Sequence, residues 1–325
     1  MPKRQRTGNE ENEEVTTAVS PRRSTETWYR DGNVVLQAGN TQFRVHQGLL
    51  ERHSPVFSGL FAEGQQDGED TVEGCRVVKL EESEEDIELL LDALYNPRPN
   101  IKVPIPFKTV SSMMRMGLTY GIPHLREGAL KRLTMEFPTT LEEYDERRGV
   151  WTSIIEEKGL LFKIVNLAHE YDIHTILPAA YLRCLDDTDA LLHGELMSEE
   201  PDSPRSEAAC LAAVQACFAG REALYPAFNR TFAWASEVGE NCDQDECYYE
   251  TRPWLRVVLW IPAPKIGQVL LDWDGLTRDV DSLKNDLCAE CSKEARQKFE
   301  AERTVTWRRL PEYFGLPKWK DLTSP

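Results

Sequence analysis

Cysteine and histidine are the residues in this chain whose types and spacing could do chemistry. Of eight cysteines, four form two close pairs, Cys242-x4-Cys247 and Cys288-x-x-Cys291. Two thiols three positions apart on a helix can share one ion, and two such pairs are compatible with a structural zinc site of four cysteines. Against this, the gap between the pairs is longer than in compact zinc ribbons, and x4 is looser spacing than x2. The alternative is reduced cysteine packed in a helical core, since cysteine is among the most buried residue types. The zinc reading names Cys242, Cys247, Cys288 and Cys291 as ligands. Four thiolates fill a tetrahedral ion and leave no position for water, so such a site is structural rather than catalytic. Cys210 and Cys217 read as core positions of a helix.

His46 and His53, two of the six histidines, stand in "FRVHQGLLERHSPVF". On a helix they share a face but lie about 10 Å apart along the axis. That excludes a single metal ion holding both, and it excludes a direct proton relay. His53 reads as a partly exposed helix end, where a cation suits the helix dipole. No phosphate-binding glycine loop, G-x-S-x-G or H-E-x-x-H motif is present. The carboxylates between Glu81 and Asp92 alternate with an apolar stripe and read as a solvated helix face. These features point away from an enzyme, the competing possibility being a catalytic metal site in the C-terminal half.

The elements that would carry these residues are legible in outline. Asn33–Ala38 and Thr41–Val45 are β-prone runs joined by Gly39-Asn40, a two-residue hairpin turn. A helix follows and ends at Ser54-Pro55, because a residue before proline is pushed out of the α region; a second short helix is expected over Val56–Phe61. Arg76–Leu80 reads as a strand, and Ser83 caps a helix with Ile87, Leu90, Leu91, Leu94 and Tyr95 on one face. Tyr120-Gly121-Ile122 is echoed by Tyr171-Asp172-Ile173, each a sharp turn between two helices. Residues 1–27 are polar and expected to be a disordered tail, and the stretch near 197–206 is expected to be a mobile loop.

The net charge of −17 and pI near 4.9 repel phosphate backbones, so nucleic-acid binding is not expected. The basic, aromatic end "WRRLPEYFGLPKWKDL" is expected to dock on the protein's own acidic body. No run reaches the roughly 18 apolar residues of a membrane helix, and no apolar leader follows the N-terminus. The expectation is an intracellular protein, cytoplasmic or nuclear, with Lys3–Arg6 as a candidate import address.

The hairpin leading into Phe43-Arg44-Val45-His46, then Leu49-Leu50, "HSPVF", Val77-Val78-Lys79-Leu80 and Leu118-Thr119-Tyr120-Gly121-Ile122 together resemble a BTB/POZ domain over residues 28–135. With "DGNVVLQA" and the terminal "LPEYFGLPKW", the chain is similar to the large set of BTB proteins of mushroom-forming fungi. The resemblance implies an α+β fold, a small β-sheet flanked by helices, followed by a mainly α-helical extension over 136–325. It implies a non-enzymatic scaffold that forms a homodimer, with Leu49, Leu50 and His53 at the interface, and recruits a protein partner. Two roles fit: adaptor of a cullin-based ubiquitin ligase, or nuclear transcription or chromatin regulator. Where the BTB pattern has an aspartate facing the helix histidine, this chain has Asn33, expected to hydrogen-bond His46 without supplying charge.

Overall fold

The computed structural model describes residues 20–62, 70–96, 101, 103–147, 150–185, 204–237, 242, 247–261, 264–280 and 287–324. The chain divides into two compact units, one of residues 1–98 with 115–125 and one of residues 99–114 with 126–325.

In the first unit, strands β1 (Arg22–Trp28), β2 (Val34–Ala38), β3 (Thr41–Val45), β4 (Thr71–Val72) and β5 (Cys75–Leu80) form a mixed sheet in the order β1-β3-β2-β5-β4. The expected hairpin is present: Leu36 faces Phe43 and Ala38 faces Thr41, leaving Gly39, at φ 52°, and Asn40 as the turn. β2 lies between antiparallel β3 and parallel β5. Val34, Val35, Leu36 and Ala38 are all buried, which is why the strand reads as a nearly continuous apolar run.

β1 corrects the expectation that residues 1–27 form a tail, because Arg22–Trp28 pair in parallel with β3. Its sequence, RRSTETW, has no apolar alternation; backbone pairing and charge hold it instead. Arg22 reaches Glu84 at 2.7 Å, Arg23 reaches Glu73 at 2.7 Å, and the Arg23 guanidinium lies over the Trp28 ring at 4.6 Å. Residues 1–19 lie outside the described residues.

Helices α1 (Gln47–His53) and α2 (Pro55–Ala62) are separated by Ser54 in extended geometry. Ser54 serves both: its N–H closes α1 on the Leu50 carbonyl at 2.9 Å, and its hydroxyl accepts the Phe57 N–H at 3.1 Å. α3 (Glu84–Tyr95) starts at Ser83, whose hydroxyl accepts the Asp86 N–H at 3.1 Å. Ile87, Leu90, Leu91 and Leu94 are buried as the stripe required. The neighbouring carboxylates are less uniformly solvated than expected. Asp86 is buried and accepts from Arg115 at 2.9 Å. Glu82 accepts the Tyr120 hydroxyl at 2.6 Å, and Glu84 binds Arg22 and the Thr41 hydroxyl. Burial, then Glu82, pushes the Tyr120 phenol well above its ordinary range.

The two echoed turns share one backbone solution. After α4 (Phe107–Thr119), Gly121 takes φ 61° and Ile122 N–H returns to the Gly117 carbonyl at 2.8 Å. After α7 (Leu160–Glu170), Asp172 takes φ 55° and Ile173 N–H returns to Ala168 at 2.8 Å. Both turns end a helix with a left-handed residue and a six-to-one bond. Glycine and aspartate are among the residues that tolerate that geometry.

The second unit contains most of α5 (Pro123–Glu136), then α6 (Leu141–Arg147), α7, α8 (Leu177–Cys184), α9 (Pro204–Thr231), α10 (Arg252–Trp260), α11 (Trp273–Asp279), α12 (Ala289–Arg308) and α13 (Leu310–Tyr313). The loop expected near 197–206 is corrected at its end, since Pro204–Ser206 already belong to α9; proline suits a first helical turn, where its missing N–H costs nothing. Residues 197–203 lie outside the described residues. Cys217 is buried in α9, and nothing is described of the Cys210 side chain. Phe228, Phe232, Trp234, Trp273 and Phe299 form an aromatic core, with successive ring centroids 4.5 to 6.3 Å apart.

The carboxyl-terminal segment docks within this unit. Trp307 donates to the Thr139 carbonyl at 3.2 Å and stacks on Trp319, while Phe314 is buried. Gly220 of α9 meets Phe314 so closely that an added Cβ would lie 2.1 Å from the ring. Gly220→Ala should therefore cost about 1–3 kcal/mol in urea unfolding. Gly59→Ala, in a helix position with open space around it, should be neutral or stabilise by up to about 1 kcal/mol.

His169 sits against the Tyr181 hydroxyl, and burial, reinforced by His174, lowers its pKa from 6.5. The folded chain thus favours the neutral ring. This contribution is complete above the unfolded value of 6.5 and is lost as pH falls through the lower folded value. Melting curves from pH 8 to 5 should show His169→Gln losing less stability on acidification than wild type.

Candidate functional site

Two constellations gather the residues singled out by sequence. The first is the junction between β3 and α1. The His46 N–H donates to the Tyr95 hydroxyl oxygen at 2.9 Å, and His46 Nδ1 lies 2.9 Å from the same oxygen. With the phenol proton shared to Nδ1, Nε2 carries the ring hydrogen toward Asp31 Oδ2 at 3.3 Å. Tyr29 stacks on Tyr95 at 4.4 Å and closes the other side. The backbone N–H of Asp31, then the His46 ring, hold the Asp31 carboxyl below its ordinary range. Burial pushes the Tyr95 phenol up.

The expected Asn33–His46 hydrogen bond is corrected. Asn33 Oδ1 accepts the Gln47 N–H at 2.8 Å instead, capping a helix whose own N-cap residue, His46, makes no side-chain cap. The negative partner of His46 is Asp31, two residues earlier than the position where the BTB pattern places its aspartate. Asp31 and Tyr95 were missed as partners because their distance from His46 in sequence carries no local signal.

On α1 the expected interface residues separate. Leu50 is completely buried within its own chain, so it is a core residue and cannot meet a partner directly. This corrects its assignment to a dimer interface. Leu49 and His53 are half-buried, and the His53 ring stands 5.1 Å from that of His124. Val56, in α2, is exposed.

The second constellation is the four-cysteine cluster, which lies entirely in the second unit. The sulfurs of Cys242, Cys247, Cys288 and Cys291 all lie within 4.8 Å of one another. Cys247 starts a π-helical turn, Cys247–Thr251, that runs into α10. Cys288 is the N-cap of α12, its sulfur accepting the Cys291 N–H at 3.4 Å, and its own N–H points to Cys247 Sγ at 3.2 Å. Cys247 and Cys291 are buried; Cys242 and Cys288 are half-buried. The Cys291 N–H lowers the Cys288 pKa, whereas burial raises that of Cys247 and pushes Cys291 to about 12. Arg252 Nη2 lies 3.4 Å from Cys291 Sγ and Nη1 donates to the Trp234 carbonyl. Arg252 escaped the sequence reading because only tertiary closure brings it to the sulfurs.

Residues 28–134 match the BTB/POZ domain family. The fold agrees: a BTB domain with a small mixed sheet flanked by helices, continued by a mostly helical C-terminal region. No curated protein matches the chain. No helix among the described residues is long and apolar enough to cross a membrane.

Asn33→Ala should cost about 0.5–2 kcal/mol, the usual loss when a helix cap is removed. Asn33→Asp should restore that stability, because a carboxylate suits a helix N-terminus. Urea denaturation of the full chain reads both.

Proposed function

We propose that the chain is a non-enzymatic scaffold that self-associates through its BTB/POZ domain and recruits a protein partner, serving as substrate adaptor of a cullin-based ubiquitin ligase. The match over residues 28–134 carries the reading, because a BTB domain is a protein-interaction module and generally mediates self-association and partner binding. The same reading places the chain with the BTB proteins of mushroom-forming fungi, on the residues common to that set. The self-association surface in this reading is formed by α1 and α2 and includes half-buried Leu49 and His53 and exposed Val56. A second copy placing the same patch there makes a closed, two-fold interface.

Light scattering of the full chain at micromolar concentration should give a dimer. Leu49→Glu should give a monomer with unchanged circular dichroism, since Leu49 is only half-buried. A strictly monomeric wild type would remove self-association from the reading. The immobilised dimer should retain a purified cullin. Failure to do so, with chromatin proteins captured from nuclei, would replace the adaptor role by the nuclear one.

A further inference from the structure

We propose that Cys242, Cys247, Cys288 and Cys291 hold one zinc ion as four thiolates, that Arg252 balances part of the resulting charge, and that the ion is structural. Two sequence pairs, one entering α10 and one opening α12, bring all four sulfurs within 4.8 Å of one another. A tetrahedral zinc with bonds of about 2.3 Å needs its sulfurs about 3.8 Å apart, so little movement separates the cluster from a closed site.

The surroundings suit negative sulfur. The Cys288 N–H points to Cys247 Sγ at 3.2 Å and the Cys291 N–H to Cys288 Sγ at 3.4 Å. Such bonds orient metal-bound thiolates and spread their charge. The Cys291 N–H belongs to the first turn of α12, a 20-residue helix whose N-terminus favours anions, and the Cys288 N–H to its N-cap. Arg252 is the independent observation. It is only 7% exposed, its Nη2 faces Cys291 Sγ at 3.4 Å, and its Nε finds no acceptor among the described residues. A buried guanidinium without compensating charge is costly. Four neutral thiols give it little to balance, whereas a zinc tetrathiolate carries a net charge of −2, which Arg252 halves. Binding releases the thiol protons to solvent, and the free energy of binding adds to that of folding.

No disulfide joins the described cysteines, but sulfurs this close could oxidise in pairs, and iron can also take four thiolates. The test must separate these outcomes. Full-length protein purified without chelator should carry about one zinc per chain by elemental analysis. After exchange, cobalt should show the red ligand-field bands and near-ultraviolet charge transfer of a tetrahedral sulfur site. Cys247→Ser and Cys288→Ser should each lose most of the metal, while Cys217→Ser, outside the cluster, should keep it. If the ligand variants do not fold, the cobalt spectrum of wild type still decides, since nitrogen or oxygen ligation changes it visibly. Arg252→Met should bind zinc but surrender it to a competing chelator about tenfold more readily. Folded wild type with negligible zinc, with disulfides among these cysteines, or with iron in zinc's place would overturn the proposal. Unchanged chelator sensitivity in Arg252→Met would overturn the role of Arg252.

Discussion

Buried irregular backbone must find hydrogen-bond partners without water, and in the second unit this constraint falls on two residues of α5. Glu136, buried on the last turn, accepts from the N–H groups of Thr152, Ser153 and Ile154 and from the Ser153 hydroxyl, the shortest contact being 2.6 Å. One turn earlier Arg132 donates to the carbonyls of Ile101, Val103 and Ser153. A carboxylate only accepts and a guanidinium only donates, so the pair divides the unmet groups by sign. Through them, two non-helical segments become a fixed floor, joined by the parallel bridge between Ile105 and Ile154. The chain leaves this floor directly into α7 and the helical body. Removing the Glu136 carboxylate would leave the buried N–H groups of Ser153 and Ile154 unpaired at once, which is worse than losing an ordinary ion pair.

The sequence was most legible where one residue type answers a local need. Ser83 before an apolar stripe, Gly39-Asn40 between two β-prone runs, and Gly121 and Asp172 at helix ends each state their geometry in a few neighbouring residues. β1 makes no such statement. Its two buried side chains are Ser24 and Thr27, and it becomes a strand only because β3 offers a free edge and Glu73 and Glu84 receive its arginines. The polarity that suggested a tail is that of a strand held by partners distant in sequence. Leu49 and Leu50 show a related limit: a leucine pair announces burial, but which of the two faces inward is settled by the phase of the helix in the tertiary fold.

The sites were legible to different degrees for the same reason. Cysteine spacing named all four members of the sulfur cluster, since each pair is local and only their meeting is tertiary. The buried cation beside them was invisible, because an arginine in an amphipathic helix usually faces water. At the β3–α1 junction the important residues were named and their partners exchanged: Asn33 caps the helix, and the carboxylate near His46 comes from Asp31. Substituting one small polar residue at the start of β2 thus separates two tasks, helix capping and histidine pairing, that a single aspartate would otherwise share.

The aromatic core of the second unit has a consequence for how unfolding can be observed. Of the eight tryptophans, only Trp28 belongs to the first unit; Trp151, Trp234, Trp254, Trp260, Trp273, Trp307 and Trp319 belong to the second. Indole emission is therefore almost wholly a signal from the helical extension, and the interaction domain is nearly dark. Circular dichroism sums over both. Midpoints that coincide by the two probes would mean that the domains melt as one cooperative body, and midpoints that separate would resolve two stabilities in one sample without any label.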